Sequence, residues 1–314
     1  MKHTNFELRG LDGQRFACCS WLPQSPPRAV VQIAHGMGEH KDRYTGVAEA
    51  LTTQGYAVYA SDHRGHGGTI VDARPGAMGI NGWRLTLADM NYLAEYSMRL
   101  HPGLPTVLLG HSMGAALSQQ YLYLYGQYLS AAVLSGSPGF GNPLQMLALQ
   151  FIARAEALRS GPDTQSALLQ SLLFGQNNKE FEPAESSDVL TGFEWLSKDG
   201  LQVDAYLNDP QCGFVLSPAS LAQFFAGMRH ACEERNISAI KAHLPIYVFS
   251  GADDPVHNAE RGLINLVETY RGAGLPVEYK LYPEGRHEML NETNRVEVVA
   301  QLLDWLSATL FDVN

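Results

Sequence analysis

The chain alternates short apolar runs with amphipathic stretches, and this alternation limits its fold more than any other feature. The amphipathic stretches have helical periodicity and occupy residues 44–54, 86–100, 113–125, 259–270 and 295–311. The apolar runs between them occupy residues 29–34, 56–60, 106–110, 131–135, 245–250 and 277–282. Continuous apolar runs bounded by turn residues are typical of parallel strands that are buried on both faces. The pattern predicts an α/β fold with a mostly parallel sheet and helices on both faces.

Two segments depart from this alternation. Alternating runs at 4–9 and 15–21 flank Asp12-Gly13 and predict an N-terminal β-hairpin. Residues 140–242 contain helical patterns at 144–158, 165–174 and 218–235 but no strand pattern. We expect this segment, the cap, to be a helical insert over the carboxyl edge of the sheet. Residues 1–139 and 243–314 would then form the core domain.

Composition excludes some classes of partner. The formal net charge is −10 and no run of Lys or Arg is present, so we do not expect nucleic-acid binding. No apolar run is long enough for a transmembrane helix, and the first residues lack the apolar region of a signal peptide. Four cysteines stand at spacings typical of neither a metal site nor a disulfide framework. The expectation is a reduced, cytoplasmic protein of unknown oligomeric state.

A candidate nucleophile lies where the 106–110 run meets the 113–125 helix. The sequence there is Gly110-His111-Ser112-Met113-Gly114. A nucleophile elbow needs a Ser in a sharp strand-to-helix turn, with small residues two positions to either side. The pattern and its position predict Ser112 as the nucleophile.

A nucleophilic serine requires a base and an acid, which in this type of fold follow it in the order acid, then base, after later strands. Asp253 and Asp254 follow the 245–250 run, and His287 follows the 277–282 run. His287 is the predicted base. Asp254, directly before Pro255, is the preferred acid, but spacing barely separates it from Asp253.

Two backbone N–H groups are expected to stabilise the oxyanion. One belongs to Met113, the residue after the nucleophile. The other belongs to Met37, in the loop after the 29–34 run, where Gly36 and Gly38 allow a close approach to substrate. The segment 62–67 offers two histidines and an aspartate, but a second ligand cluster is missing. We therefore predict no metal and no cofactor, and expect Asp62 and Arg64 to brace loops.

Five motifs, in order, resemble those of a known family. They are His35-Gly36-Met37-Gly38-Glu39-His40, Asp62-His63-Arg64-Gly65-His66-Gly67, the segment 110–114, Gly251-Ala252-Asp253-Asp254 and Arg286-His287-Glu288. Together they resemble the monoacylglycerol lipase/lysophospholipase branch of the α/β-hydrolases, the serine aminopeptidase S33-like hydrolases. The resemblance implies a Ser112–Asp254–His287 triad and an oxyanion hole at Met37 and Met113. Thr69 is a departure, because serine is more usual after the second glycine.

The cap is rich in apolar side chains at 144–152 and 168–174. They could pack the cap on the core, enclose an acyl chain, or make transient contact with a membrane surface. We predict substrate contacts from Gly36, His111, Leu144, Phe151 and Leu172.

The predicted activity is hydrolysis of carboxylic esters, with monoacylglycerols or lysophospholipid-like single-chain lipids as substrates. A small-ester carboxylesterase and an acyltransferase share the same residues. A proline-iminopeptidase would need an anionic cap site, for which Glu180, Glu182 and Glu185 are candidates. An inactive hydrolase fold serving as a small-molecule receptor is the alternative from another class.

Overall fold

The computed structural model describes residues 1–181, 191–258 and 260–311. Their strands form one sheet of eight, in the order β1-β2-β4-β3-β5-β6-β7-β8. The strands are β1 (Lys2–Arg9), β2 (Arg15–Leu22), β3 (Ala29–Ala34), β4 (Tyr56–Ser61), β5 (Thr106–His111), β6 (Ala131–Ser135), β7 (Ile246–Gly251) and β8 (Val277–Tyr282). The mostly parallel sheet predicted from the apolar runs is confirmed.

Only β2 breaks the parallel order, and it does so on both sides. It pairs antiparallel with β1, from Lys2 opposite Leu22 to Arg9 opposite Arg15, which is the predicted hairpin. It also pairs antiparallel with β4, with Cys18 opposite Ser61. From β4 to β8 every neighbouring pair is parallel. The carboxyl ends of β3, β5, β6, β7 and β8 therefore lie at one edge of the sheet.

Helices cover both faces of the sheet, and each strand from β3 to β7 is therefore buried on both sides. On one face α1 (Thr45–Thr53) and α10 (Arg295–Phe311) contribute side chains such as Leu51 and Leu302 to one apolar cluster. On the other face α2 (Gly82–Leu100) and α3 (Met113–Tyr125) contribute Leu87 and Leu117 to a second. Each such buried leucine stabilises the fold by about 1.5–3 kcal/mol. The helix α9 (Arg261–Gly272) packs in the second cluster, and its predicted start at 259 lies outside the described residues.

Between β6 and β7 the described residues contain helices and no strand, as the sequence pattern indicates. The helices are α4 (Pro143–Ser160), α5 (Ala167–Phe174), α6 (Gly200–Asn208), α7 (Pro218–Ala231) and α8 (Glu234–Ile237). The periodicity did not indicate α6, a short helix whose first turn is capped by the Asp199 carboxylate accepting from Leu201 N–H at 3.1 Å. In the described ranges no helix is long and apolar enough to cross a membrane. The domain boundaries at 139/140 and 242/243 stay predictions.

Candidate active site

Ser112 lies in the sharp turn between β5 and α3. Its φ of 53° and ψ of −115° place it in a region that L-residues rarely adopt, at a cost of about 1–3 kcal/mol. Two backbone hydrogen bonds hold this conformation: Ser112 N–H donates to Ser135 O at 2.9 Å, and Ala116 N–H donates to Ser112 O at 3.1 Å. The strained turn half-exposes the serine at the carboxyl edge of the sheet.

The positions of Gly110 and Gly114, two residues to either side of Ser112, leave no room for a side chain. A Cβ on Gly114 would collide with the backbone carbonyl of Ala34, and one on Gly110 would collide with the backbone of Gly114 itself and with Ser118 Oγ. The helix α3 therefore starts against the end of β3 at a distance that only a residue without a side chain permits. This is the steric reason for the pattern that identified the turn.

The structure brings Asp254 and His287 together. Asp254 is the buried cap residue of a short helical turn after β7, and its Oδ2 lies 2.9 Å from His287 Nδ1. The same Oδ2 accepts a hydrogen bond from Ser250 Oγ at 2.7 Å, and Oδ1 accepts from Val256 N–H at 2.9 Å. Asp253 is exposed, and among the described residues the carboxylate that contacts His287 is that of Asp254.

Burial and pairing act in opposite directions on these two groups. Burial alone would favour the neutral acid, but the imidazole of His287 outweighs it and holds the pKa of Asp254 below its ordinary value. Burial likewise disfavours a charged imidazole, yet the Asp254 carboxylate raises the pKa of His287 above its ordinary value. The pair is thus arranged to stabilise a proton on His287.

The His287 ring approaches the nucleophile turn through His111. The centroids of these two rings are 4.8 Å apart, and Ser112 follows His111 directly. Among the described residues no hydrogen bond joins Ser112 Oγ to His287. Such contacts often tighten only when substrate binds. Burial and then the neighbouring His287 lower the pKa of His111 to about 4, so His111 is neutral beside the pair.

Two backbone amides next to Ser112 are available as donors. Within the described ranges, neither Met37 N–H nor Met113 N–H donates to a backbone or side-chain acceptor. Met113 N–H is one of the unpaired donors of the first turn of α3. Gly36 lies close to Ser112, since a Cβ built on it would be 3.2 Å from Ser112 Cβ. The arrangement offers two free N–H groups beside a serine hydroxyl.

A buried network that sequence reasoning missed joins the loop of Met37 to the loop of His287. The Arg43 guanidinium donates twice to the Glu288 carboxylate, at 2.8 Å each, and at 2.7 Å to Glu39 Oε2. Glu39 Oε1 accepts from Tyr44 OH at 2.8 Å and from Gly36 N–H, beside Met37. Glu39 and Glu288 lie in the motifs and Arg43 does not, and the pairing of Arg43 with Glu288 spans 245 positions, so it left no local signal.

The cap contacts the same edge of the sheet through Trp195, which is not among the site residues predicted from the sequence. Its ring lies 5.0 Å from the His287 ring, and its carbonyl accepts from His287 N–H at 3.2 Å. Leu196 O accepts from Glu288 N–H at 2.7 Å. The guanidinium of Arg43 lies 4.9 Å above the ring of Tyr206 in α6. The cap therefore rests on the His287 loop and on the Arg43 network.

The segment 62–67 braces neighbouring loops. Asp62 accepts from Lys41 N–H at 2.9 Å and from Gly68 N–H at 2.8 Å. Arg64 donates to Asp89 at 2.7 Å and, across the hairpin, to Asp12 at 2.7 Å. Thr69 fills the role expected of a serine: its Oγ1 donates to Asp62 O at 2.9 Å and accepts from Ala17 N–H at 3.0 Å.

The predicted substrate contacts fall into two groups. Gly36 and His111 are buried next to Ser112. Leu144, Phe151 and Leu172 instead have 74%, 59% and 46% of their surface exposed, on the outer side of α4 and α5. Other cap side chains pack inward and belong to, or pack against, the same apolar cluster as Met37 and Met113, but they are not among the predicted substrate contacts: Met146, Leu149, Ala153, Leu169 and Leu173.

Comparison with known proteins finds relatives over nearly the whole chain. Residues 25–294 match the sequence profile of the family described as serine aminopeptidase, S33. A monoacylglycerol lipase of Mycolicibacterium smegmatis is 31% identical over 98% of both chains. A monoglyceride lipase homolog of Monkeypox virus is 36% identical over 94% of this chain and 95% of its own length.

Among solved structures, a thermostable carboxyl esterase of Bacillus coagulans superposes with a TM-score of 0.88 at 26% identity, over 99% of both chains. The likeness extends from the hairpin through the cap to the last helix, so it includes every loop described above. The chain belongs to the serine aminopeptidase S33 family of α/β-hydrolases.

Proposed function

We propose that this protein hydrolyses carboxylic esters of single-chain lipids, such as monoacylglycerols or lysophospholipids, through an acyl-enzyme on Ser112. One observation carries the proposal: a serine in a strained turn stands beside a buried Asp254–His287 pair, 2.9 Å apart, and two free backbone N–H groups. This is the set of groups that acyl transfer requires. The exposed and unconnected Asp253 has no part in it.

In the first half of the reaction, Ser112 Oγ attacks the ester carbonyl carbon while His287 Nε2 takes the hydroxyl proton. Asp254 accepts from Nδ1–H, which keeps Nε2 free as the acceptor and stabilises the imidazolium. His287 then protonates the leaving alcohol as the C–O bond breaks. In the second half, His287 takes a proton from water, which attacks the acyl carbonyl and releases the carboxylic acid and Ser112.

The negative charge that develops on the carbonyl oxygen is stabilised by Met37 N–H and Met113 N–H. Both groups lack another acceptor in the described part of the chain, so they need no rearrangement to receive the oxyanion. Loss of one such donor typically costs about 10²–10³ in kcat. Glu39 fixes Gly36 N–H, and through it the peptide that carries the Met37 donor.

The lipid character of the substrate is supported by the relatives and by the cap. The Mycolicibacterium smegmatis relative is named a monoacylglycerol lipase. An apolar cluster continues from Met37 and Met113 to the inward side chains of the cap, including Met146, Leu149 and Leu173. Each CH₂ of an acyl chain buried there would stabilise the complex by about 0.8 kcal/mol. We therefore assign acyl binding to these inward residues.

The exposed apolar face of α4 and α5 supports transient contact with a lipid surface, from which the substrate would be taken. Leu144, Phe151 and Leu172 lie on this face together with Leu158, which is 91% exposed, and Leu168, which is 54% exposed. Large exposed apolar patches mark sites of contact with other proteins or with membranes. In this account, Leu144, Phe151 and Leu172 contact substrate at the membrane rather than inside the cap.

Substituting this face tests the surface contact. Leu158→Glu and Leu168→Glu should abolish sedimentation with phosphatidylcholine vesicles and lower the rate on vesicle-borne monoacylglycerol, while hydrolysis of a water-soluble butyrate ester stays unchanged. Leu11→Glu, at a comparably exposed leucine on the hairpin turn, is the matched control. Equal vesicle binding in the cap variants and the control would refute the membrane contact.

The acyl-chain preference tests the activity itself. Hydrolysis rates across p-nitrophenyl esters from acetate to palmitate should peak at medium or long chains and vanish in Ser112→Ala. Activity confined to acetate and butyrate would instead favour the small-ester carboxylesterase. No activity on any ester would favour the peptidase or the receptor.

The proline-iminopeptidase alternative has less support. Of its candidate anionic residues, Glu180 is exposed, and Glu182 and Glu185 lie outside the described residues. Turnover of a proline amide but of no ester would favour it. The receptor alternative predicts ligand binding without turnover. The predicted cytoplasmic location also stays a proposal, supported by four cysteines that form no disulfide.

A further inference from the structure

Three potential metal ligands of different chemistry meet where the cap reaches the oxyanion loop, residues 36–40. His40 Nε2 lies 2.9 Å from Asp209 Oδ2, just after α6. Cys212 Sγ completes the set, and the three donor atoms all lie within 4.8 Å of one another. His40 is buried, while Asp209 and Cys212 are half-buried. An imidazole, a carboxylate and a thiol together form a ligand set typical of zinc.

Backbone hydrogen bonds hold the two segments together. Gly213 N–H donates to Gly38 O at 3.0 Å, which ties the cap loop to the oxyanion loop. Cys212 N–H donates to Asp209 O at 3.0 Å, and Gln211 N–H donates to Asp209 Oδ1 at 2.8 Å. The other carboxylate oxygen, Oδ2, therefore faces His40. The ligands stand on a braced turn rather than on independent loops.

The His40 ring also has a group behind it that suits metal binding. Its Nδ1 accepts a hydrogen bond from Asp42 N–H at 3.3 Å and lies 3.8 Å from Asp42 Oδ2. When a cation occupies Nε2, the ring proton lies on Nδ1, so the hydrogen bond from Asp42 N–H is lost and the Asp42 carboxylate replaces it as the acceptor of the ring proton. A carboxylate behind a ligating histidine fixes the ring and strengthens the ligand. Asp42 Oδ1 is buried and, within the described residues, has no hydrogen-bond partner.

The charges around the set are on balance negative. Two cationic side chains lie nearby, and one of them, Lys41, is already paired with Asp42 and Asp62. The other, Arg43, is neutralised by its two carboxylate partners. The thiolate is the form of cysteine that binds a cation, so binding releases the thiol proton and the affinity should rise with pH.

We propose that His40, Asp209 and Cys212 form a binding site for a divalent cation of the zinc type, with water as the fourth ligand, which clips the cap loop to the oxyanion loop. The ligand atoms of a tetrahedral zinc ion lie about 3.5 Å apart, so side-chain movements of about 1 Å bring the three donor atoms to this spacing. The cation takes no part in ester hydrolysis, and the proposal is independent of the substrate.

Titration of the full chain with Co²⁺, a spectroscopic substitute for Zn²⁺, tests the site. We expect one equivalent to bind with four-coordinate visible bands and a near-ultraviolet thiolate-to-cobalt charge-transfer band. Added Zn²⁺ should displace it and raise the thermal midpoint. Cys212→Ser should abolish the charge-transfer band and weaken binding at least about tenfold. Asp209→Asn should weaken binding similarly but keep the band, and it serves if the cysteine variant fails to fold.

Two control variants complete the test. Cys232→Ser removes a half-buried thiol that donates to Met228 O at 3.3 Å, away from the site, and should change neither the band nor the affinity. Cys19→Ala removes a buried thiol that lies within 4.8 Å of donor atoms of His3 and Asp42, a competing set. A band that survives in Cys212→Ser, or that disappears in Cys19→Ala or Cys232→Ser, would overturn the proposal.

Discussion

Replacing Asp254 with Asn removes the charge that orients His287 and keeps the size of the side chain. The Asp254 carboxylate accepts from three donors: Ser250 Oγ at 2.7 Å, Val256 N–H at 2.9 Å and His287 Nδ1 at 2.9 Å. An amide has one oxygen and one NH₂ group, so the donors at its two ends cannot all be satisfied. If the oxygen accepts from Val256, the NH₂ group faces His287.

This orientation imposes the wrong tautomer on the base. The amide donates to His287 Nδ1, so the ring proton moves to Nε2, the atom that must accept the proton of Ser112. The same change in serine-protease triads lowers kcat about 10⁴-fold, and we expect a similar loss here. That factor corresponds to about 5.4 kcal/mol of barrier. The unsatisfied contact should also lower the free energy of unfolding by about 1–3 kcal/mol, which most folded domains tolerate.

Asp253→Asn is the matched control, because it makes the same chemical change at the neighbouring exposed position. We expect its kcat on p-nitrophenyl butyrate to stay within about twofold of wild type. Circular dichroism and thermal melting establish that both variants are folded. A kcat for Asp254→Asn within tenfold of wild type, or an equal loss in Asp253→Asn, would refute the assignment of the acid.

Three further predictions follow from the contacts of the site. First, kcat/KM should fall as the pH drops, because only a neutral His287 accepts a proton. Since the Asp254 carboxylate outweighs the effect of burial on the pKa of His287, the midpoint of this fall should lie above pH 6.5. A midpoint below pH 6.5 would contradict the pairing. Second, Gly114→Ala forces a methyl group against the Ala34 carbonyl and should lower the free energy of unfolding, measured in urea, by about 1–3 kcal/mol. Gly46→Ala in α1 has open space around the new methyl group and should not lower the free energy of unfolding. Third, Glu288→Ala leaves the buried Arg43 with Glu39 as its one acidic partner and should lower the free energy of unfolding by about 3 kcal/mol. Glu7→Ala, at the exposed pair with Arg15, should lower it by less than about 1 kcal/mol. Equal losses would show that burial does not strengthen the effect.

The sequence was enough to predict the parallel strands, because a strand buried on both faces is mostly apolar. The predicted run at 29–34 is β3 and the run at 131–135 is β6, each without a shift of boundary. The helix predicted at 218–235 instead breaks into α7 and α8 at Cys232. Local periodicity continues through such a break, and only the packing against the core decides where the helix ends.

The residues of the candidate site also differ in how well the sequence predicts them. Ser112 and His287 could be located because strand ends and glycine spacing are local signals. The choice between Asp253 and Asp254 could not be made securely, because neighbouring residues in a loop differ only in which way their side chains turn. The Arg43–Glu288 pair and the contact of Trp195 with His287 join distant parts of the chain. No spacing rule contains that information.

The most direct test of the central claim is to find the residue that becomes acylated. The protein is treated with a long-chain alkyl fluorophosphonate, which reacts with activated serines, and its intact mass and peptide map are measured. The account predicts one label per chain, on Ser112, formed in step with the loss of esterase activity and absent from Ser112→Ala. A label on another residue that tracks the loss, or full esterase activity in Ser112→Ala, would contradict it.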